Sequence, residues 1–166
     1  ALDLGGDNPI RIQSMTTTNT NDTEACVRQA EEIIKAGGEL VRFTTQGSRE
    51  AENMKNINAG IRADGYQTPL VADVHFNPNV ADVAALYCEK VRINPGNYVD
   101  PARKFIKQEY TDEEYAHELQ KIEERFVPFL NICKENHTAI RIGVNHGSLS
   151  DRIRNRYGDT PEGIVE

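Results

Sequence analysis

Four short stretches of this chain alternate apolar with charged or amide side chains: Leu40-Val41-Arg42-Phe43-Thr44, Val71-Ala72-Asp73-Val74-His75, Val91-Arg92-Ile93-Asn94 and Ile140-Arg141-Ile142-Gly143-Val144-Asn145. Successive side chains on a β-strand point to opposite faces. One face therefore gathers Arg42, Asp73, His75, Arg92, Asn94, Arg141 and Asn145. The other gathers Val41, Phe43, Ala72, Val74, Val91, Ile93, Ile140, Ile142 and Val144. A sheet with one apolar face and three arginines on the other can cover the first with helices. The second becomes a cationic floor, suited to a polyanionic small ligand such as a phosphate or diphosphate ester.

Strand candidates begin near Ile10, Leu40, Leu70, Val91 and Ala139, with helical patterns between them. This rhythm predicts βα units and a parallel sheet. The first helix is expected over about Asp22–Ala36, capped by Asn21, with Cys26, Val27, Ala30, Ile33 and Ile34 buried and Gly37 ending it. The second is expected over Ser48–Ala63, burying Ala51, Met54, Ile57 and Ile61. The third is expected over Asn79–Tyr87, with Val80, Val83, Ala84 and Tyr87 inward. Before the fifth strand, Thr111-Asp112-Glu113-Glu114 reads as a capping box. Tyr115, Leu119, Ile122, Phe126, Phe129, Leu130 and Cys133 follow at steps of three and four. Pro128 lies inside that pattern, and an interior proline costs a helix about 3 kcal/mol, so a kink or break is expected near Val127. Residues 97–125 read as a solvated, acidic insertion in the fourth loop and helix.

The fold class is therefore α/β: a TIM (β/α)8-type barrel truncated after about five βα units, with residues 1–166 forming one partial barrel. In such a barrel, the site lies at the carboxyl ends of the strands. The strands of an open doubly wound sheet would be nearly continuous apolar runs. A dinucleotide fold also loses support, because no GxGxxG follows the first strand.

The chain has 166 residues, 27% charged and 38% hydrophobic, with a net charge of −7. This balance argues against general nucleic-acid or membrane-surface binding, while leaving room for a local cationic pocket. No long apolar run or signal peptide is visible, and a cytoplasmic protein is expected. Cys26, Cys88 and Cys133 are far apart and odd in number, which reads as reduced packing thiols with no metal site. His117, His137 and His146 are scattered and suggest no metal either. Both ends look cut: there is no initiator Met, and Thr160-Pro161-Glu162 is a helix start close to the last residue. An amino-terminal piece of a longer protein is expected.

Arg42, Arg92 and Arg141 are the leading candidates for chemistry. An internal network with Asp73 is the plain alternative, but three guanidiniums then face one strand carboxylate. Excess buried charge is costly unless an anion arrives. His75 ends the third strand and could donate to a phosphate or polarise a substrate oxygen. Asn94 and Asn145 each lead into a glycine turn that lets backbone N–H groups approach a ligand. Ser14 and the run Thr16-Thr17-Thr18-Asn19-Thr20-Asn21 form either a hydroxyl-rich wall or a solvated loop.

Taken together, Ile12-Gln13-Ser14-Met15-Thr16, Leu40-Val41-Arg42, Pro69-Leu70-Val71-Ala72-Asp73-Val74-His75-Phe76, Val91-Arg92-Ile93-Asn94-Pro95-Gly96-Asn97 and Ile140-Arg141-Ile142-Gly143-Val144-Asn145-His146-Gly147-Ser148-Leu149 resemble the 4-hydroxy-3-methylbut-2-enyl diphosphate synthase family of non-mevalonate isoprenoid biosynthesis. The segment from Asn145 to Arg152 and the long fourth helix are similar to its larger form, found in plants and some bacteria. The resemblance implies an amino-terminal barrel that grips the diphosphate of 2-C-methyl-D-erythritol 2,4-cyclodiphosphate. It also implies a carboxyl-terminal domain with a 4Fe-4S cluster, and ferredoxin or flavodoxin as electron donor. The positions matching the diphosphate grip are Arg42, His75, Arg92, Arg141 and Asn145; Asp73, Asn94 and Ser14 are secondary candidates. The cluster cysteines and the acidic residue beside them lie downstream in the family. The segment alone is thus expected to be catalytically inactive, to bind diphosphate weakly, and to expose strand edges that invite a homo-oligomer. The other readings are a barrel transferase of the dihydropteroate synthase type and a non-catalytic phosphate-binding module.

Overall fold

The computed structural model describes residues 2–74, 76–99 and 109–166. His75 and residues 100–108, within the expected insertion, lie outside the described residues. Five parallel strands form one sheet in the order β1 (Gln13–Met15), β2 (Leu40–Thr44), β3 (Leu70–Asp73), β4 (Lys90–Ile93) and β5 (Ala139–Ile142). The helices are α1 (Thr23–Lys35), α2 (Ser48–Ala63), α3 (Pro78–Ala84), α4 (Asp112–Asn136), α5 (Asp151–Tyr157) and α6 (Pro161–Val165). Neighbouring strands in sequence are neighbours in the sheet, the order in which a (β/α)8 barrel is wound.

The apolar face of the alternation is the core. Val41, Phe43, Ala72, Val74, Val91 and Ile93 are buried against Cys26 and Ala30 of α1, Ala51, Met54, Ile57 and Ile61 of α2, Val80, Ala81 and Ala84 of α3, and Phe129 and Cys133 of α4. The exceptions lie on and beyond the last strand: Ile140 and Val144 are half-buried, and Ile142 is 55% exposed. Alternation fixes which face a side chain takes, but burial there depends on what covers it.

Helix α2 has the bounds its pattern predicts, and the Glu50 carboxylate accepts the N–H groups of Gln46 (2.6 Å) and Gly47 (2.8 Å). Gly37, at φ 99°, closes α1 as expected. Four expectations need correction. The cap of α1 is Asp22, not Asn21; its carboxylate accepts the Ala25 N–H at 3.0 Å, while the Asn21 N–H is drawn to Asn19 Oδ1. Helix α3 ends at Ala84, so Tyr87 lies in the turn beyond it. The first strand begins at Gln13, and Ile10 is 97% exposed. Helix α4 runs through Pro128 without a break. Pro128 sits on the exposed side, so the carbonyl it deprives faces water, while Phe126 and Phe129 hold the helix to the core from the other side. Residues 112–125 are thus the first half of α4. Its Thr111–Glu114 capping box forms as expected.

The register of the sheet is pinned by two glutamates of parallel design. Glu39, just before β2, accepts the Ile12 N–H (2.9 Å) and pairs with Arg11 (2.8 Å). Glu89, just before β4, accepts the Leu70 N–H (2.8 Å) and pairs with Arg62 (2.8 Å). The Ile12 N–H, and after it Arg11, hold the Glu39 carboxyl below its ordinary range. A carboxyl whose pKa is lower in the folded state stabilises the fold above its unfolded value, and that contribution is lost as the pH falls through the folded value. Glu39→Gln should therefore melt below the parent near neutral pH, with the gap closing on acidification below about pH 4.3. A gap that persists unchanged into acid would show that the clamp does not act through the carboxylate.

Candidate anion site on the sheet

The polar face carries Gln13 and Met15 of β1, Leu40, Arg42 and Thr44 of β2, Val71 and Asp73 of β3, Lys90 and Arg92 of β4, and Ala139 and Arg141 of β5. The pairs Met15–Arg42, Arg42–Val71, Thr44–Asp73, Asp73–Arg92 and Arg92–Arg141 lie side by side in the register. Asp73 stands between β2 and β4 and holds an arginine from each. Its Oδ2 accepts from Arg42 Nε (3.0 Å) and Nη2, and its Oδ1 accepts from Arg92 Nη1 (3.0 Å). Arg92 then reaches over β5, where its Nη2 donates to the Gly143 carbonyl at 2.7 Å. The side chains of Asp73 and Arg92 are only 4% and 9% exposed, whereas Arg42 is 27% exposed. Among the described residues, two guanidiniums share this one carboxylate towards the carboxyl ends of the strands.

Arg141 is on the expected face but joins a different group. It lines a cavity of about 330 Å³ with Leu4, Arg11, Gln13, Leu40 and Lys90, residues at the amino ends of β1, β2 and β4 and in the segment before β1. Burial and the neighbouring charge of Arg141 push the Lys90 ammonium below its usual range. The three arginines thus form two at Asp73 and one beside Lys90, not a single convergent set. A long side chain in register chooses its layer by the partners within reach, and Asp73 already has both oxygens occupied.

Asn94 directly follows β4, whereas Asn145 lies beyond Gly143 and Val144 after β5; each stands at the N-cap position of a 3-10 turn, over Pro95–Asn97 and His146–Ser148. Asn94 is buried at 4% exposure, while Asn145 is exposed and accepts from Ser148 Oγ at 3.1 Å. Ser14 lies in β1, pairs in register with Val41 and so faces the opposite side of the sheet from Arg42. The threonines after β1 form neither a wall nor a free loop. Thr16 and Thr20 are buried, with hydroxyls donating to the carbonyls of Arg42 (3.4 Å) and Thr44 (2.7 Å), and the Thr18 hydroxyl lies 3.1 Å from Cys26 Sγ. They fasten the first loop to the end of β2.

Gly143 escaped the sequence reading altogether, although a glycine breaking the alternation beside three arginines was a legible signal. Arg152 also escaped it; the guanidinium is buried and lies 4.9 Å from the centre of the Tyr115 ring, with Arg156 at 4.3 Å, joining α5 to α4. Burial pushes the Tyr115 phenol up to about 12.

The cysteines do not fit an iron–sulfur cluster. Cys26, Cys88 and Cys133 are free and separately buried in the helix-side core, and burial raises the pKa of each, disfavouring the thiolate that iron requires. Among the described residues, no group of three or more His, Cys, Asp or Glu side chains could hold a metal ion, and no helix is long and apolar enough to cross a membrane.

Comparison with known proteins agrees with this architecture. The family model of the GcpE TIM-barrel domain matches residues 1–166. A protein of Phocaeicola vulgatus named 4-hydroxy-3-methylbut-2-en-1-yl diphosphate synthase (flavodoxin) is 78% identical over 166 residues, which are 100% of this chain and 27% of that protein. Proteins of the same name from Parabacteroides distasonis and Akkermansia muciniphila are 67% and 55% identical, over 98% of this chain and 26% and 28% of their own lengths. The chain spans about a quarter of the length of the curated relatives it matches. With a full-length match to the domain model, five parallel βα-type strands in sequential order and a cationic inner face, this chain belongs to the GcpE TIM-barrel domain family.

Proposed function

We propose that this chain is the substrate-binding barrel part of an oxidoreductase that converts 2-C-methyl-D-erythritol 2,4-cyclodiphosphate to 4-hydroxy-3-methylbut-2-enyl diphosphate in isoprenoid biosynthesis. The observation that carries this reading is the pair of arginines, from β2 and β4, held on one carboxylate at the polar face of the sheet. Its support is the name shared by relatives up to 78% identical over the whole chain. The reaction consumes two electrons, opens the ring and removes a hydroxyl as water, and the diphosphate remains on the product. A grip on the diphosphate therefore serves substrate and product alike.

In this reading, Arg42 is the first ligand of the anion. It is the more exposed of the two, and its Nη1 makes no hydrogen bond among the described residues. Arg92 supplies the second charge from a fixed pose, while Asp73 sets the spacing of both forks. Asn94 and Asn145 stand beyond the strand ends, where the remainder of the substrate would lie; His75 is the further member of the proposed grip, and Arg141 would join it only by turning from the cavity it lines beside Lys90. A 4Fe-4S cluster would supply the electrons to the ring and would take its thiolates from elsewhere in the whole protein, since the three cysteines here do not fit it. The electron donor is flavodoxin or ferredoxin, and the protein works in the cytoplasm. Edges β1 and β5 are each paired on one side only among the described residues, which suits self-association of the isolated segment.

The test is calorimetric titration of the whole protein with the cyclodiphosphate. Arg92→Ala should weaken binding roughly 10- to 100-fold, the scale of one or two charge-assisted hydrogen bonds, and the parent affinity should fall as salt is raised. Equal affinity in parent and variant would remove the diphosphate site from this face.

A further inference from the structure

We infer that Gly143 is a positioning residue for anion recognition: the bare backbone at the end of β5 is what allows Arg92 to lie in its binding pose. This rests on the diphosphate reading above for its ligand, and on the geometry of the sheet for its cause. A Cβ built on Gly143 would stand 1.9 Å from Arg92 Nε and 2.8 Å from both Cγ and Cδ. Real side chains do not approach so closely, so one of the two must move.

Arg92 has little freedom to do so. One arm of its fork is fixed on Asp73 Oδ1 at 3.0 Å, and the other on the Gly143 carbonyl at 2.7 Å, within a side chain only 9% exposed. The obstruction would fall on the middle of the side chain, not on a free tip that could swing aside. Gly143 itself is tied to the sheet, its N–H donating to the Ile93 carbonyl at 2.7 Å. Its φ is not in the left-handed region, so alanine is conformationally admissible there. The requirement for glycine is therefore one of space: position 143 must be empty for the guanidinium plane to cross from β3 to β5. One residue serves Arg92 twice, through the volume it leaves free and the acceptor it presents. Any side chain would drive Arg92 off the surface of β5 and turn its fork away from the neighbouring Arg42.

The experiment is a double-mutant cycle in the whole protein with Gly143→Ala, Arg92→Ala and the pair, titrated with inorganic pyrophosphate and melted in parallel. Gly143→Ala is expected to weaken pyrophosphate roughly 10- to 100-fold. It should have no further effect once Arg92 is alanine, because the obstructed side chain is gone. The melting temperatures should show the same dependence, with Gly143→Ala harmful beside arginine and nearly silent beside alanine. Parent-like pyrophosphate affinity in Gly143→Ala, or a loss of equal size in both backgrounds, would overturn the inference. If the parent itself fails to bind pyrophosphate, the diphosphate reading falls and takes the recognition role with it. Coupled melting temperatures would then still locate the contact between the two residues, so the two failures are distinguishable.

Discussion

Asp73→Ala should destabilise the protein by about 3–5 kcal/mol, the range for removing one partner from a buried charge cluster. For a chain of this size that corresponds to a fall of roughly 6–20 °C in Tm. The side chain is 4% exposed and its two oxygens hold Arg42 and Arg92. Without it, two guanidiniums from β2 and β4 face each other across β3, while Arg92 keeps its bond to the Gly143 carbonyl. The same change makes the face more cationic. Added pyrophosphate should thus raise the Tm of the variant by more than that of the parent, because an anion bound to the folded state replaces the missing carboxylate. Thermal melts of both proteins, with and without pyrophosphate, check this. An unchanged Tm would mean the arginines do not depend on Asp73. Destabilisation with no greater recovery in pyrophosphate would mean that the cluster is structural and takes no anion.

Phe129→Ala should cost about 3–5 kcal/mol, the usual range for deleting a buried phenyl ring. Phe129 is fully buried and packs edge-on to Tyr98 at 6.4 Å between ring centres and stacks near Phe126 at 6.1 Å. These rings fasten α4 beside the turn that follows β4, and they hold the helix together one residue beyond Pro128. Leu119→Ala, on the same helix and in the same three-four spacing, should change stability by no more than about 0.5 kcal/mol, since Leu119 is 38% exposed. Chemical denaturation of the two variants separates the cases. Equal losses would show that the amino half of α4 is as firmly docked as the carboxyl half.

That contrast marks where reading the chain alone reaches its limit. Tyr115, Leu119, Phe126, Phe129 and Cys133 share one periodicity, yet Tyr115, Phe129 and Cys133 are buried and Leu119 is not. Periodicity reports which face of a helix is apolar, while burial needs something opposite. The same holds at Ile142, whose place in the alternation matches that of Val91 and Ile93 but whose side chain is mostly uncovered. Pro128 teaches the converse: its local cost was legible, but the packing that overrides it was not.

The amino-acid order by itself determined the fold class, the five strands, the bounds of α2 and the division of Arg42, Asp73, Arg92 and Arg141 from Val41, Phe43, Ala72 and Val91. The division of faces follows from covalent geometry, because a two-residue period assigns it before any tertiary contact exists, and α2 follows from its own three-to-four-residue period. Only the tertiary structure decided which arginines meet. Register and reach put Arg42 and Arg92 on Asp73 and Arg141 in the cavity with Lys90, and a missing side chain at Gly143 opens the path for Arg92. Such choices depend on distances between strands far apart in the chain, which no local pattern encodes.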